Sequence, residues 1–205
     1  VPAALAALST AGFALGLCTN KPGSATRGVL AALALEDGAT LWTRDLAPEH
    51  ERFQDADATP AVLGDMVVAA SAAGGIYGLD VQTGAIRWHL NRPGAIGLTA
   101  VDSDVVVAFD RGVIARVSGF DGRIRWRTTL PTADGAPSEP MRVGLRYIAV
   151  TTGRGTLHLM DEMNGRPVRQ FRPGNGIHGA PATAPDGSLF VLSDGGILYA
   201  LRPPR

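Results

Sequence analysis

Short apolar blocks and polar breaks follow one another along the whole chain. The apolar runs are four to seven residues long, are bounded by Gly, Asp, Asn or Pro, and carry no sustained helical period. In "PAVLGDMVVAAS" two strands are joined at Gly64-Asp65, and "GGIYGLDV" and "AIRWHL" form two further strands joined by "QTG". The pattern predicts an all-β chain.

The positions of the strands within a sheet can be predicted from the same pattern. "MVVAAS", "DVVVAF" and "RYIAVTT" are nearly continuous in apolar residues, which is typical of strands covered on both faces. The strand around Trp126 alternates instead, with Ile124 and Trp126 expected on one side and Arg123, Arg125 and Arg127 on the other. We interpret these arginines as protection of an outer edge against pairing with another chain. An anion-binding stripe is the alternative.

A spacing recurs in these blocks: a glycine is followed by a tryptophan four residues later. A proline opens an apolar run, and hence a predicted strand, at Pro2, Pro60, Pro140 and Pro181, and Thr99 stands in its place in the repeat between Pro60 and Pro140. From Pro60 to Pro140 is two periods of about 40 residues, and Pro140 to Pro181 is one more. Two landmarks with one period indicate an internal repeat. The residues of the repeated motif are Gly38, Trp42, Asp80, Gly84, Trp88, Gly122, Trp126, Asp161 and Gly165, and Arg169 stands where a fourth tryptophan is expected.

Each repeat predicts a four-stranded antiparallel meander, which is the blade of a β-propeller. We expect residues 1–205 to form a single partial or five-bladed β-propeller domain. The last blade has only three predicted strands, so the chain is expected to be part of a longer polypeptide or ring. The predicted blades are residues 1–46, 58–90, 97–130, 138–172 and 178–204.

The motif has a structural interpretation. Glycine allows the positive φ of a tight hairpin turn, and an aspartate before the turn can accept hydrogen bonds from local backbone amides. The tryptophan offers a large flat surface that can fill the wedge against a neighbouring blade. We therefore expect the repeated tryptophans to hold the fold together and not to form a catalytic site.

The motif D-x-x-T-G-x-x-x-W, preceded by a [LI]-Y-[AG]-L strand and a T/A-P-A-V strand, resembles the PQQ-like β-propeller repeat. The segment "TPAVLGDMVVAASAAGGIYGLDVQTGAIRW" is a close match, and other repeats depart from it at Thr99, Arg169 and Arg202. The family includes quinoprotein dehydrogenases and sensor ectodomains of kinases. It also includes non-enzymatic scaffolds such as the periplasmic lipoprotein of the outer-membrane β-barrel assembly machine.

The composition argues against several kinds of chemistry. The 19 basic and 19 acidic residues give no net charge, which disfavours a nucleic-acid partner. Quinoproteins of this family share paired cysteines and a Ca²⁺ site, whereas this chain has Cys18 alone. Asp102 and Asp104 are predicted to be solvated turn residues and not calcium ligands. We expect no cofactor, no metal and no enzymatic activity.

Two segments are not explained by the repeat, residues 19–28 and 47–58. Loops on a rigid scaffold often carry binding sites, although tolerated surface insertions are the alternative. The candidate partner-binding residues in these loops are Lys21, Arg27, Glu51 and Phe53.

The predicted function is a non-catalytic scaffold or accessory subunit that binds protein partners, in a periplasmic or extracytoplasmic location and in association with a membrane complex. A fragment of a quinoprotein dehydrogenase and a ligand-sensing ectodomain are the alternatives. No transmembrane segment is expected. The apolar residues 1–18 are interpreted as part of the fold, with "FALGLC" as a buried strand, and a lipoprotein signal ending at Cys18 is the alternative.

Overall fold

The computed structural model describes residues 13–18, 29–34, 39–46, 58–131, 134–177 and 179–202. Within these residues every named element is a β-strand, and the strands form antiparallel meanders in chain order. The all-β class predicted from the short apolar blocks is confirmed.

The first two sheets come from the first part of the chain. The first sheet contains β1 (Phe13–Cys18), β2 (Val29–Ala34) and β3 (Thr40–Asp45). The second contains β4 (Ala61–Leu63), β5 (Met66–Ser71), β6 (Gly75–Asp80) and β7 (Ile86–Leu90). "FALGLC" is therefore a strand, as predicted, and the predicted strand at Pro2 lies outside the described residues.

The remaining three sheets follow the same plan. The third contains β8 (Ala95–Val101), β9 (Asp104–Phe109), β10 (Val113–Ser118) and β11 (Ile124–Thr129). The fourth contains β12 (Met141–Val143), β13 (Tyr147–Thr151), β14 (Leu157–Asp161) and β15 (Pro167–Phe171). The fifth contains β16 (Ala182–Thr183), β17 (Leu189–Leu192) and β18 (Leu198–Leu201).

The chain divides into two compact units. One comprises residues 1–105 with 118–123, and the other comprises residues 106–117 with 124–205. The single domain over residues 1–205 and its five blade boundaries remain predictions.

Each unit has its own core, to which the middle strands contribute most. Every residue of β5, β9 and β13 is buried, as expected for strands covered on both faces. In the first unit Leu30, Val67 and Leu79 pack together, and in the second Ala149, Leu159 and Val191 do so. Because these side chains come from successive sheets, burial holds the sheets of each unit against one another.

A β-bulge recurs at one register position of the repeat. It lies directly after the residue that pairs with the tryptophan, as in the pairs Ala32–Trp42, Gly78–Trp88 and Arg116–Trp126. The fourth sheet has the same bulge after Leu159, which pairs with Arg169. Arg169 therefore occupies the tryptophan position of its blade.

Two expectations from the alternation of polar and apolar residues need correction. The bulge interrupts the strict alternation of β11, so that Ile124 is exposed while Trp126 is partly buried. Asp104 was expected to be solvated in a turn but is a buried residue at the start of β9, since the turn consists of Asp102 and Ser103 alone. Asp102 is exposed and has a positive φ of 54°.

Candidate functional site

The repeated tryptophan and glycine contact each other across successive repeats. A Cβ placed on Gly84 would lie 2.5 Å from Cδ2 of Trp42, and one on Gly122 would lie 2.6 Å from Cε3 of Trp88. The third pair is Trp126 and Gly165, where such a Cβ would meet Cε3 of the indole. Each indole thus lies on the turn glycine of the next repeat, where only a glycine leaves room for it.

The indole nitrogens bind the same turn. Each indole Nε1–H donates to a backbone carbonyl oxygen at 2.8–3.0 Å. The pairs are Trp42 with Val81, Trp88 with Gly119 and Trp126 with Glu162. These three acceptors follow directly on the third strand of the next sheet. A tryptophan therefore fixes its neighbour both by packing and by a directed hydrogen bond.

The turn itself is held by the motif aspartate. Oδ1 of Asp80 accepts hydrogen bonds from the backbone N–H groups of Gln82 and Thr83, and Arg87 binds the other carboxylate oxygen. The hydrogen bond from Arg87, followed by those from Thr83, lowers the pKa of Asp80 to about 2. Oδ1 of Asp161 caps the equivalent turn of the fourth sheet, accepting from the N–H groups of Met163 and Asn164. The motif carboxylates stabilise turns.

A buried ionic cluster at Glu162 was not anticipated from the sequence. The Arg142 guanidinium binds both carboxylate oxygens of Glu162, at 2.8 and 2.9 Å. Nη1 of Arg116 lies 3.9 Å from the same carboxylate and donates to the Glu162 carbonyl oxygen at 3.2 Å. Because Arg116 belongs to the preceding sheet, this cluster joins two consecutive repeats. Arg116 and Glu162 are 46 residues apart, so no local sequence pattern indicates that they meet.

His158 is a second buried polar group that sequence spacing did not single out. Its side chain is fully buried on β14, and its Nε2 lies 3.4 Å from Oδ2 of Asp134. Neither ring nitrogen has a hydrogen-bond partner among the described residues. Burial lowers the pKa of His158 below its usual value, although the charge of Asp134 opposes that shift.

A cavity of about 200 Å³ lies beside the residue that replaces the fourth tryptophan. Its walls are mainly apolar, with Leu159 and Phe171 from the fourth sheet and Leu189 and Leu201 from the fifth, and Arg169 lines it. In the earlier repeats an indole fills the corresponding wedge. The cavity is thus where this repeat departs from its own pattern.

The predicted binding residues Lys21, Arg27, Glu51 and Phe53 lie outside the described residues, as does Gly38. Their role in partner binding remains a prediction. Within the described part of the chain, no three His, Cys, Asp or Glu side chains come together as metal ligands. The described residues also form no helix that is long and apolar enough to cross a membrane.

Comparison with known proteins identifies the repeat. The family model described as outer membrane protein assembly factor BamB, which carries the PQQ-like repeat, matches residues 22–145 and, in a second overlapping stretch, residues 110–203. The chain belongs to the BamB family. The resemblance to the PQQ-like repeat predicted from the sequence is confirmed.

Curated BamB proteins resemble the chain over most of its length. The outer membrane protein assembly factor BamB of Escherichia coli strain K12 is 24% identical over 179 residues, which are 85% of this chain and 45% of that protein. The BamB of Xanthomonas campestris is 28% identical over 184 residues, or 85% of this chain and 44% of that protein. The chain spans about half the length of the curated relatives it matches.

Solved structures agree on the fold. The crystal structure of BamB from Moraxella catarrhalis matches with a TM-score of 0.70 at 20% identity, covering 90% of this chain and 57% of that one. The computationally designed Ika8 protein matches with a TM-score of 0.68 at 14% identity, over 90% of this chain and 57% of its own. The predicted β-propeller class with four-stranded antiparallel blades is confirmed.

Proposed function

We propose that this chain is a non-catalytic scaffold in the assembly of outer membrane proteins, and that it acts by binding protein partners. The observation that carries the proposal is the match of the BamB family to two stretches that together span residues 22–203. The relatives found among curated proteins bear the name of assembly factors. Their outer-membrane role agrees with the extracytoplasmic location expected from the sequence.

The architecture supports a binding role. Each described Trp–Gly contact ties one sheet to the turn of the next, so the strands within each unit form a stiff frame. A stiff frame can present loops to a partner without a large loss of conformational entropy on binding. The segments 19–28 and 47–58, which follow no repeat pattern, are the loops that we assign to partner binding.

The test is cross-linking in the native envelope with the full-length protein. We expect reproducible cross-links from residues 19–28 or 47–58 to an outer-membrane assembly component. Deleting the gene should also lower the amount of folded β-barrel protein in the outer membrane. Phe53→Ser combined with Glu51→Lys should weaken the cross-links.

The matched control is Gln82→Ser, on an exposed turn of the second sheet. It should leave the cross-links and the barrel proteins unchanged. An unaltered outer membrane in the deletion strain, together with no assembly partner, would refute the scaffold. A quinone-dependent oxidation by the full-length protein would show that it is an enzyme instead.

A further inference from the structure

Two neighbouring turns of the fourth sheet present large apolar side chains to solvent. Leu145, in the turn between β12 and β13, is 86% exposed, and Met163, in the turn between β14 and β15, is 73% exposed. The turns touch, because the backbone N–H of Glu162 donates to the carbonyl oxygen of Arg146 at 2.9 Å. We call Leu145, Arg146 and Met163 the turn patch.

Leu145 is an addition to the repeat. The backbone N–H groups of Val81 and Gly119 donate to the carbonyl oxygens of Asp65 and Ser103, as Glu162 does to Arg146. These equivalent bonds allow the turns between the first and second strands of the three sheets to be aligned. The turn has two residues in the second and third sheets and three in the fourth. The extra residue is leucine, and the shorter polar turns show that the fold does not require it.

The residue at the position of Met163 also differs between the repeats. Counted from the strand-ending residue, the same position holds Gln82 in the second sheet and Phe120 in the third, where Phe120 is 84% exposed. An apolar side chain at this place adds little to the core. Single exposed apolar residues are common, but two of them on touching turns, as Leu145 and Met163 are, are typical of a contact surface.

The backbone beneath the patch is held by an ion pair and by hydrogen bonds. The bidentate ion pair between Arg142 and buried Glu162 holds one turn to β12, and Oδ1 of Asp161 binds the N–H of Met163. Nη1 of Arg116 also lies 4.0 Å from Sδ of Met163. A side chain on fixed backbone loses less entropy when a partner covers it than one on a mobile loop.

The charge around the patch indicates its partner. Arg146 and Arg166 are exposed on the two turns, and Arg116 and Arg142 lie behind them, against the Glu162 carboxylate. The other carboxylate here, that of Asp161, accepts hydrogen bonds from the turn amides, so four guanidinium groups face two carboxylates. The surroundings are therefore positive, although the whole chain has no net charge. Opposite charge on a partner would favour both encounter and orientation.

We propose that the turn patch docks an acidic, partly apolar peptide segment of a partner protein. Apolar side chains of that segment cover Leu145 and Met163, and its carboxylates pair with Arg146. The inference rests on the proposed scaffold function and extends it. It assigns a second binding surface to the turns β12–β13 and β14–β15, which join first to second and third to fourth strands. Segment 19–28 instead links β1 to β2, which correspond to the second and third strands of a four-stranded sheet because β3 carries the tryptophan, and segment 47–58 follows β3.

The probe is a fluorescent peptide of about twelve residues that alternates Glu with Leu or Phe, compared with its Lys-for-Glu counterpart by anisotropy on the full-length protein. We expect the acidic peptide to bind and the basic one not to. Leu145→Ser with Met163→Gln should weaken binding about tenfold or more. Arg146→Glu should weaken binding of the acidic peptide and reduce its preference over the basic one.

The matched control is Leu192→Ser, which removes another leucine with 60% exposure and should leave binding unchanged. Equal binding of both peptides, no binding of the acidic peptide, or a loss of binding only in Leu192→Ser would overturn the proposal. So would self-association that Leu145→Ser abolishes, since a second copy would then cover the patch. If the acidic peptide fails to bind while the cross-links from segments 19–28 and 47–58 persist, the patch proposal fails and the scaffold proposal stands.

Discussion

The indole of Trp42 occupies the space that a side chain on Gly84 would need. The two residues come from successive repeats, and the Trp42 Nε1–H also binds Val81 in the same turn. This contact recurs between Trp88 and Gly122. The glycine of the motif is therefore required for two reasons, its backbone conformation and the room it leaves for its neighbour.

Substitution of Gly84 separates these two reasons. Gly84→Ala places a methyl group against the Trp42 ring at a φ of +65°, and should lower the free energy of unfolding by about 3 kcal/mol. Gly64→Ala is the matched control, because Gly64 has a φ of +62° and a Cβ there would meet nothing within 4 Å. It should cost about 1 kcal/mol. Urea denaturation of both variants measures the difference, and equal losses would show that only the backbone conformation matters.

Arg169→Trp should restore the pattern of the repeat. An indole at this position can enter the cavity lined by Leu159, Phe171 and Leu189, so the free energy of unfolding should rise by about 1 kcal/mol. Arg166→Trp, on the exposed turn nearby, is the control and should give no gain. Thermal and urea denaturation serve as readouts. A destabilised Arg169→Trp would mean that the cavity cannot accept the ring.

Glu162→Ala should be among the most damaging single changes in the chain. It leaves Arg142 and Arg116 without their buried carboxylate, and the free energy of unfolding should fall by about 3–5 kcal/mol. Replacing the pair together, as Arg142→Met with Glu162→Leu, should recover part of the loss. Asp121→Asn, which removes an exposed partner of Arg123, should change stability by less than about 0.5 kcal/mol. A small effect of Glu162→Ala would show that the cluster is solvated.

His158 should make stability depend on pH. Burial lowers the pKa of His158 in the folded state. Below pH 6.5, which is about the pKa of histidine in an unfolded chain, the unfolded chain therefore binds a proton that the folded chain does not. The stabilising contribution is present above pH 6.5 and is lost as the pH falls, with a slope of at most about 1.4 kcal/mol per pH unit. Urea midpoints between pH 7 and 5 should fall less steeply in His158→Gln. Parallel slopes would contradict this.

The sequence predicted the strands well, because apolar runs of strand length and turn glycines are local signals. It also showed that tryptophan and glycine belong to one motif. It did not show that Trp88 contacts Gly122 and not its own Gly84, since spacing within a repeat says nothing about contacts between repeats.

The rest was missed for physical reasons of the same kind. Glu162 and Arg116 meet only after two sheets have packed. Asp104 is buried although its neighbouring residues are typical of an exposed turn. The extra residue Leu145 is visible only when the turns are aligned by their hydrogen bonds.

The Trp–Gly contact has a direction, since each described tryptophan contacts the glycine of the following repeat and never that of the preceding one. A duplication or deletion of one whole repeat would therefore rebuild every junction with the same two residues. A break inside a repeat would leave an indole with no glycine to cover. The contact thus makes the 40-residue repeat the unit in which such a gene can lengthen or shorten, and Arg169 marks a junction already released from that constraint.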